Sequence, residues 1–293
     1  MPEATRESLG DWMKRLEVES LTVTHLMPYH SYVLRLDGKN FSTFTTGFRK
    51  PFDPLFLDVM LRTTTDVAKK FQVPVSYTHS DEISLLFPAV CTQEEYERAD
   101  PGKRVEPREY KGRVIKLLTL TAAYTSARFN YWMASLVGEH RAAYALTMSQ
   151  KDLEAFCGKL TAHECMFDSR LVLLTDPKEL VLHQIWRHRD CYRNSVSSIA
   201  RHLLTKEQIF GRKTGDMVAM MEAEGGEDVL AEYQPYLAGF YVKRERYEAE
   251  VEYTRNGEVH KVVATRSRHT PRQYEVTQYT DATHTLTTAP VWD

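Results

Sequence analysis

The sequence predicts an α+β fold, with strands and helices interspersed over most of the chain and a run of strands at its end. Three observations predict this class. Apolar runs of strand length, each followed by a turn signal, occur near 29–36, 73–79 and 82–88. Two long segments have the pattern of helices, about 109–136 and 177–204. The tail from about residue 245 alternates apolar and polar residues at period two.

The first half of the chain is punctuated by clear start and stop signals. A short helix is predicted at 11–26, ahead of the first strand. Asp53-Pro54 places an N-cap before a proline at the first helical position, so a helix begins there and ends before Val73-Pro74. Ser80-Asp81 is predicted to be the turn of a hairpin between the next two strands.

The order of elements through residue 174 predicts a known plan. Strands near 161–166 and 169–174 are expected to surround Phe167-Asp168. The order is then strand, helix, hairpin, helix, strand, which is the ferredoxin-like βαββαβ pattern of the polymerase palm.

The tail differs in character from the rest of the chain. Asn256-Gly257 is a strong hairpin signal, and residues 274–286 are expected to supply one or two further strands. We therefore expect a palm-type domain at 1–245 and a C-terminal β appendage at 246–293.

Composition indicates an ordinary intracellular globular protein. The chain has 293 residues and a net charge of −2, so any attraction to nucleic acid must come from a local patch. Four cysteines form neither a CxxC pair nor a zinc spacing, which indicates free thiols in a reducing compartment. No apolar stretch reaches membrane-spanning length, and the N-terminus has the composition of neither a transit peptide nor a secretory signal. We expect a cytoplasmic protein without a membrane partner.

Two acidic turns about forty residues apart are the most informative feature. Asp37 ends the first apolar run, and Asp81 lies between the next two. Carboxylates at the ends of two strands can converge into a hard-oxygen site that holds Mg²⁺ against nucleotide phosphates. Taken singly, Asp37-Gly38 also fits a hairpin turn and Ser80-Asp81-Glu82 a polar hairpin tip. Because side chains alternate along a strand, we expect Asp81 to be the ligand and Glu82 a supporting member of the catalytic group.

Basic residues form two candidate phosphate-binding groups. Arg113 and Lys116 are three residues apart on a predicted helix, so they share a face. Beside a metal site such a pair would clamp a triphosphate, and by itself it equally fits a solvated face. Residues 183–213 form the most basic block, with Trp186 and Tyr192 interleaved. This block fits an RNA backbone or a surface helix with ion pairs.

Several separate blocks of this chain occur together, in order, in one known superfamily. They are Arg35–Phe41, Lys50–Asp53, Tyr77–Ser84, Phe167–Arg170, Trp186–Asp190 and Arg193–Ser195. In these blocks the chain resembles the tRNA-histidine guanylyltransferases and their relatives, the guanylyltransferase-like 3′–5′ RNA polymerases. The resemblance covers roughly residues 8 to 245.

The resemblance implies a metal site and a nucleotide site. Two Mg²⁺ ions would be held by Asp37, Asp81 and the Gly38 carbonyl. The nucleoside triphosphate would contact Asp37, Gly38, Lys39, Asn40, Phe41, Ser42, Ser80, Asp81, Arg113 and Lys116. It further implies GTP, ATP and tRNA as partners and a homotetramer. RNA contacts are expected at Arg170, Arg187, Arg193, Asn194 and Arg201.

Two departures from the family pattern bear on the substrate. Ser42 stands where a histidine is common, and Tyr192–Ser198 replaces the His-Ile-Asn-Asn-Leu-Tyr-Asn block of the strict tRNA-histidine enzymes. The second departure favours the branch that resembles a tRNA 5′-end repair polymerase.

The implied reaction adds nucleotides to a tRNA 5′ end in the 3′–5′ direction. ATP activates a 5′-monophosphate end, and the 3′-hydroxyl of the incoming nucleotide then attacks the activated phosphate. A palm-fold nucleotide cyclase and a non-catalytic RNA-binding module are the alternatives. The basic block at 183–213 disfavours the cyclase, and the Asp37/Asp81 pair disfavours the binding module.

Overall fold

The computed structural model describes residues 7–107, 109–226, 228–255 and 258–292. The strands are β1 (Ser31–Gly38), β2 (Val75–His79), β3 (Glu82–Phe87), β4 (Phe167–Leu174), β5 (Phe240–Arg255) and β6 (Glu258–Arg272). The helices are α1 (Leu9–Glu19), α2 (Phe41–Phe44), α3 (Pro54–Lys70), α4 (Gln93–Arg98), α5 (Val114–Ala145), α6 (Gln150–Leu160), α7 (Lys178–Leu203), α8 (Lys206–Ile209), α9 (Thr214–Gly225), α10 (Gln234–Leu237) and α11 (Asp281–Thr288). Among these residues, no helix combines the length and the apolar character needed to cross a membrane.

The strands form an antiparallel sheet in the order β4-β1-β3-β2-β5-β6. Through β4 the chain supplies a strand, a helix, a hairpin, a helix and a strand, in the predicted order. The separate strand predicted at 161–166 is wrong. The Cys165 N–H donates to the Asn130 side chain and the Phe167 N–H to the Ser126 side chain. The backbone just before and at the start of β4 is therefore hydrogen-bonded to α5 and not to another strand.

The sheet separates two apolar cores, and β1 contributes to both. Leu34 and Leu36 pack with residues of α3 and α5 on one face. Val33 packs with residues of α7 on the other face. Because side chains alternate along a strand, Arg35 and Asp37 lie on the α7 side of the sheet.

The start of α3 is fixed as its sequence predicts. Asp53 caps the helix by accepting a hydrogen bond of 2.9 Å from the Leu55 N–H, and Pro54 occupies the first turn. The Tyr144 hydroxyl of α5 donates to the same carboxylate at 2.9 Å. The cap therefore joins α3 to α5 and anchors the loop at residues 45–53.

The C-terminal region is not an all-β appendage. β5 begins inside the main sheet, where Phe240 pairs with Thr78 of β2, and then forms a long ribbon with β6. Residues 281–288 form α11 where strands were predicted, with Thr280 as the N-cap residue of a capping box. Asn256-Gly257, the predicted hairpin turn, lies outside the described residues.

Candidate active site

Acidic side chains lie side by side at the end of the first strand. In the strand register, Asp37 of β1 lies opposite Glu82 of β3 and opposite Asp168 of β4. Asp81 occupies the tight turn between β2 and β3, and its backbone carbonyl accepts a hydrogen bond of 3.1 Å from the Gly38 N–H. The two predicted metal ligands therefore lie on neighbouring segments. Asp37-Gly38 is not a hairpin turn, because α2 follows it, whereas Ser80-Asp81 is one.

The electrostatics of this group favour a bound cation. Burial raises the pKa of Asp37, and the negative charges of its acidic neighbours raise it further. Burial also raises the pKa of Asp81. Both shifts mean that the ionised carboxylates lack sufficient positive partners. In the part of the chain that the structure describes, no three His, Cys, Asp or Glu side chains are grouped to hold a metal ion. The set nevertheless fits Mg²⁺, which proteins hold with one or two carboxylates while phosphates and water complete its coordination.

The raised pKa of Asp37 gives a stability prediction. We expect Asp37→Asn to raise the free energy of unfolding at pH 7 without added metal. In the folded protein the pKa of Asp37 lies above its ordinary value of 3.8. At a pH above this raised pKa, the ionised Asp37 side chain therefore lowers the free energy of unfolding. That cost disappears as the pH falls to the ordinary value. Urea unfolding should show that Asp37→Asn is more stable than the original protein at pH 7 and that this difference shrinks as the pH falls to 4. Equal or lower stability of Asp37→Asn at pH 7 would contradict the prediction.

Glu82 is held differently from the two aspartates. Its buried carboxylate accepts a hydrogen bond of 2.8 Å from Arg187 Nε and lies 3.5 Å from His79 Nε2. Burial opposes its ionisation, but the contacts with His79 and Arg187 hold the pKa of Glu82 far below its usual range. A carboxylate so engaged is a supporting group beside Asp81, not a free acid or base.

The segment after β1 carries the predicted nucleotide contacts. Lys39 and Asn40 are exposed, and the Lys39 N–H donates to the Met166 carbonyl at 2.9 Å. Phe41 is buried and starts α2, and Ser42 is exposed beside it. A side chain at Gly38 would collide with the Phe41 ring, so the backbone can approach this closely only with glycine.

A cavity of about 210 Å³ adjoins the turn at Ser80. Phe48 and Phe56 supply apolar walls, and Lys50 lies at the same cavity. Phe52 stacks on Tyr236 with ring centroids 4.1 Å apart, and both rings line the cavity. The space suits a flat ring system. Sequence reasoning assigned no role to Tyr236, although Phe52 in the block Lys50–Asp53 was a signal for half of this stack.

The structure does not bring Arg113 and Lys116 to the carboxylates within one chain. Arg113 forms an isolated bridge with His25, ahead of the start of β1, whereas Asp37 lies near the end of that strand. The two basic residues also begin α5, which covers the face opposite to Asp37. Both side chains are exposed, and no contact between them and Asp37 or Asp81 occurs among the described residues, so the clamp stays a prediction.

Most of the predicted RNA contacts are exposed on α7 or β4. Arg193, Asn194 and Arg201 are exposed on α7. The Arg170 side chain on β4 is 44% exposed and lies 3.2 Å from Asp168. These four side chains remain available to a ligand.

Arg187 corrects one of those predictions. Its side chain is only 6% exposed, and it donates to Glu82 at 2.8 Å and to Asp190 at 2.7 Å. Its guanidinium is engaged inside the protein, so we assign it to the support of Glu82 and not to RNA contact.

Comparison with known proteins decides the family. A family model described as tRNA(His) guanylyltransferase matches residues 10–175, which include Asp37, Asp81 and Asp168. An uncharacterized protein of Acanthamoeba polyphaga mimivirus is 33% identical over 220 residues, which are 74% of this chain and 70% of that protein. The chain belongs to the tRNA(His) guanylyltransferase family. The resemblance inferred from the sequence blocks is thereby confirmed.

One further curated relative and three solved structures are similar to this chain. The tRNA(His) guanylyltransferase of Neurospora crassa is 26% identical over 175 residues, which are 58% of this chain and 48% of that protein. A bacterial tRNA(His) guanylyltransferase-like protein in complex with ATP matches with a TM-score of 0.56 and 24% identity, covering 80% of this chain and 88% of that chain. A bacterial tRNA(His) guanylyltransferase-like protein in complex with GTP matches with a TM-score of 0.53 and 21% identity, covering 90% of this chain and 91% of that chain. The tRNA(His) guanylyltransferase from Saccharomyces cerevisiae matches with a TM-score of 0.53 and 20% identity, covering 76% of this chain and 90% of that chain. These structures share the fold.

Proposed function

We propose that the protein adds nucleotides in the 3′–5′ direction to the 5′ end of tRNA, after ATP has activated a 5′-monophosphate end. The observation that carries the proposal is the placement of Asp37 and Asp81 at one corner of the sheet, beside a cavity that fits a nucleobase. The strand order β4-β1-β3-β2 and the position of the acids support a palm-like catalytic core. A cyclase or a non-catalytic module gains no support from a specific contact.

The residues divide the work as follows. Asp37, Asp81 and the Gly38 carbonyl would hold Mg²⁺, which lowers the pKa of an attacking hydroxyl and neutralises phosphate charge. The base of the incoming nucleotide would occupy the cavity lined by Phe48 and Tyr236. Phosphoryl transfer leaves little covalent work for the protein, so positioning and charge suffice and no nucleophilic side chain is required.

The test is incubation with 5′-truncated tRNAs, labelled nucleotides and Mg²⁺. Because Tyr192–Ser198 replaces the block of the strict enzymes, we expect templated addition to several tRNAs, paired against the acceptor strand. Addition of a single guanosine to full-length histidine tRNA alone would contradict this breadth. If no nucleotide is transferred to any of these tRNAs, the proposed function is wrong.

We also propose a homo-oligomer in which Arg113 and Lys116 of one copy serve the site of another. If they bind the triphosphate held by Asp37 and Asp81, we expect them to come from another copy of the chain, since they begin α5 on the face of the sheet opposite to Asp37. We expect Asp37→Ala and Arg113→Ala/Lys116→Ala to be inactive separately and partly active when mixed, with at most about a quarter of wild-type activity. Mixing two samples of the same variant is the control. A mixture as inactive as its components would place the clamp elsewhere.

A further inference from the structure

A second and larger cleft opens on the α7 side of the sheet, next to the acidic group. Its volume is about 1280 Å³, and residues of α1 and α7 line it together with the two sheet residues Arg35 and Arg170. Residues within 214–237 and 275–277 line it too, and these lie beyond the stretch that the family model matches. We propose that this cleft binds a single-stranded RNA segment adjoining the 5′ end that is extended. The identity of that segment as substrate rests on the proposed function; the binding itself does not.

The charge of the cleft selects an anion. Six basic and four acidic side chains line it, although the whole chain carries a net charge of −2. One of the six, Arg187, is engaged by Glu82 and Asp190, so the other five are the ones that a ligand could meet. Lys14 on α1 and Arg189 on α7 are exposed, and within the described residues neither has an acidic partner within ion-pair distance. Unpaired cations on two elements that line the cleft provide phosphate contacts at little desolvation cost.

Two of these basic side chains, Arg35 and Arg170, come from the sheet and share one acid of the cleft, while Arg170 also bonds Asp168 at 3.2 Å. Arg35 and Arg170 lie opposite each other on β1 and β4, and like charges in that position repel. Both point to one oxygen of Glu17, at 3.3 Å and 3.6 Å, beyond a close charged hydrogen bond. The Arg35 side chain is 9% exposed, and its Nε has no hydrogen-bond partner among the described residues, its nearest acid being Glu82 at 3.9 Å. Arg35 is thus a cation at the cleft without a close charged hydrogen bond, and a phosphate in the cleft would stabilise its charge.

An exposed aromatic side chain favours an unpaired strand over a duplex. Tyr192 on α7 lines the cleft and is 36% exposed, so part of its ring is available to a base. Exposed rings interleaved with cations are the usual platform for single strands, because unpaired bases can stack on them. A duplex keeps its bases stacked inside and would use the cations alone. The cleft also adjoins the acidic group through Arg170, whose neighbour in its ion pair is Asp168. A strand in the cleft would thus reach the reacting end.

The experiment measures binding by fluorescence anisotropy, without catalysis. The probes are a labelled single-stranded RNA of eight nucleotides, a blunt RNA hairpin of equal charge and a polyglutamate peptide. The variants are Lys14→Glu/Arg189→Glu and Tyr192→Ala. The matched control is Arg141→Glu/Lys151→Glu, which changes the same charge at two exposed residues of α5 and α6. Circular dichroism checks that every variant is folded.

We expect the cleft variants to bind the single strand at least tenfold more weakly than the control variant. The slope of log affinity against log salt should fall by about 1.4 in the charge variant, since each lost phosphate contact removes about 0.7. Tyr192→Ala should weaken the single strand by about tenfold and leave the hairpin unchanged. Equal binding by the cleft and control variants would overturn the proposal. Hairpin or polyglutamate binding as tight as the single strand, with the same dependence on the cleft, would overturn the RNA strand as occupant.

The outcome is separable from that of the proposed function. If the protein transfers nucleotides to tRNA but the cleft variants bind the single strand as tightly as the control variant, only the proposed RNA site in the cleft is wrong. Cleft-dependent binding of the single strand by a protein that transfers no nucleotide supports the cleft and refutes the reaction.

Discussion

Asp37→Ala and Asp81→Ala should each lower the rate of nucleotide addition by about a thousandfold or more, while the protein stays folded. The two carboxylates meet at the end of β1 and the β2–β3 turn, where burial and mutual charge raise the pKa of Asp37. Removing either would remove a ligand of the proposed Mg²⁺, and a thousandfold loss corresponds to about 4 kcal/mol of transition-state stabilisation. The measurement is single-turnover addition to a 5′-truncated tRNA at saturating nucleotide.

The control is Glu164→Ala, which removes an exposed carboxylate ahead of β4 without touching the acidic group. Its rate should match that of the unmodified protein. Circular dichroism and urea unfolding should show Asp37→Ala and Asp81→Ala to be folded, since neither side chain belongs to an apolar core. A variant that keeps more than about a tenth of the original rate would exclude its residue as a metal ligand, because tenfold is only about 1.4 kcal/mol.

The acidic corner could be predicted from sequence because its determinants are local. Asp37 and Asp81 each follow an apolar run that forms a strand, and a strand end followed by a turn exposes the side chain there. The cap at Asp53 is local in the same sense, and the structure confirms it. The order of strands and helices through β4 followed from these signals, since the pattern of periodicities determines the class of fold.

The errors concern relations between distant segments. Spacing placed Arg113 and Lys116 on one helix face, but which face of the sheet that helix covers depends on packing between distant segments, where α5 joins the core of Leu34 and Leu36. In the tail, one or two strands were expected at 274–286, yet the capping box at Thr280 starts a helix there. Neither outcome is encoded in spacing alone.

Arg187 shows the same limit for charge. A run of basic residues on α7 indicates a surface for RNA, but a helix facing a sheet buries one of its sides. Arg187 lies on that side, opposite the carboxylate of Glu82, while Arg193 lies at the exposed edge. The partner is 105 positions away in sequence, so only the packed structure shows that this arginine is internal.

Arg187→Met should destabilise the protein by about 3–5 kcal/mol. The substitution leaves Glu82 buried without its closest positive partner, and an uncompensated buried charge costs that much. Arg193→Met is the matched control, because Arg193 also bonds Asp190, at 2.9 Å, but is 59% exposed. That variant should lose at most about 1 kcal/mol. Urea unfolding at pH 7 measures both.

Two further measurements separate the lost ion pair from lost packing. Adding Glu82→Gln to Arg187→Met should restore part of the stability, since it removes the unpaired charge. The pH dependence gives the sign independently. The pKa of Glu82 is held below its ordinary value of 4.5, so its contribution is present above pH 4.5 and declines as the pH falls below it. The difference between the original protein and Arg187→Met should therefore shrink on acidification below pH 4.5. Two results would contradict the prediction that the Arg187–Glu82 ion pair stabilises the fold. One is a loss of stability in Arg187→Met no larger than that in Arg193→Met, and the other is a loss that becomes larger when Glu82→Gln is added.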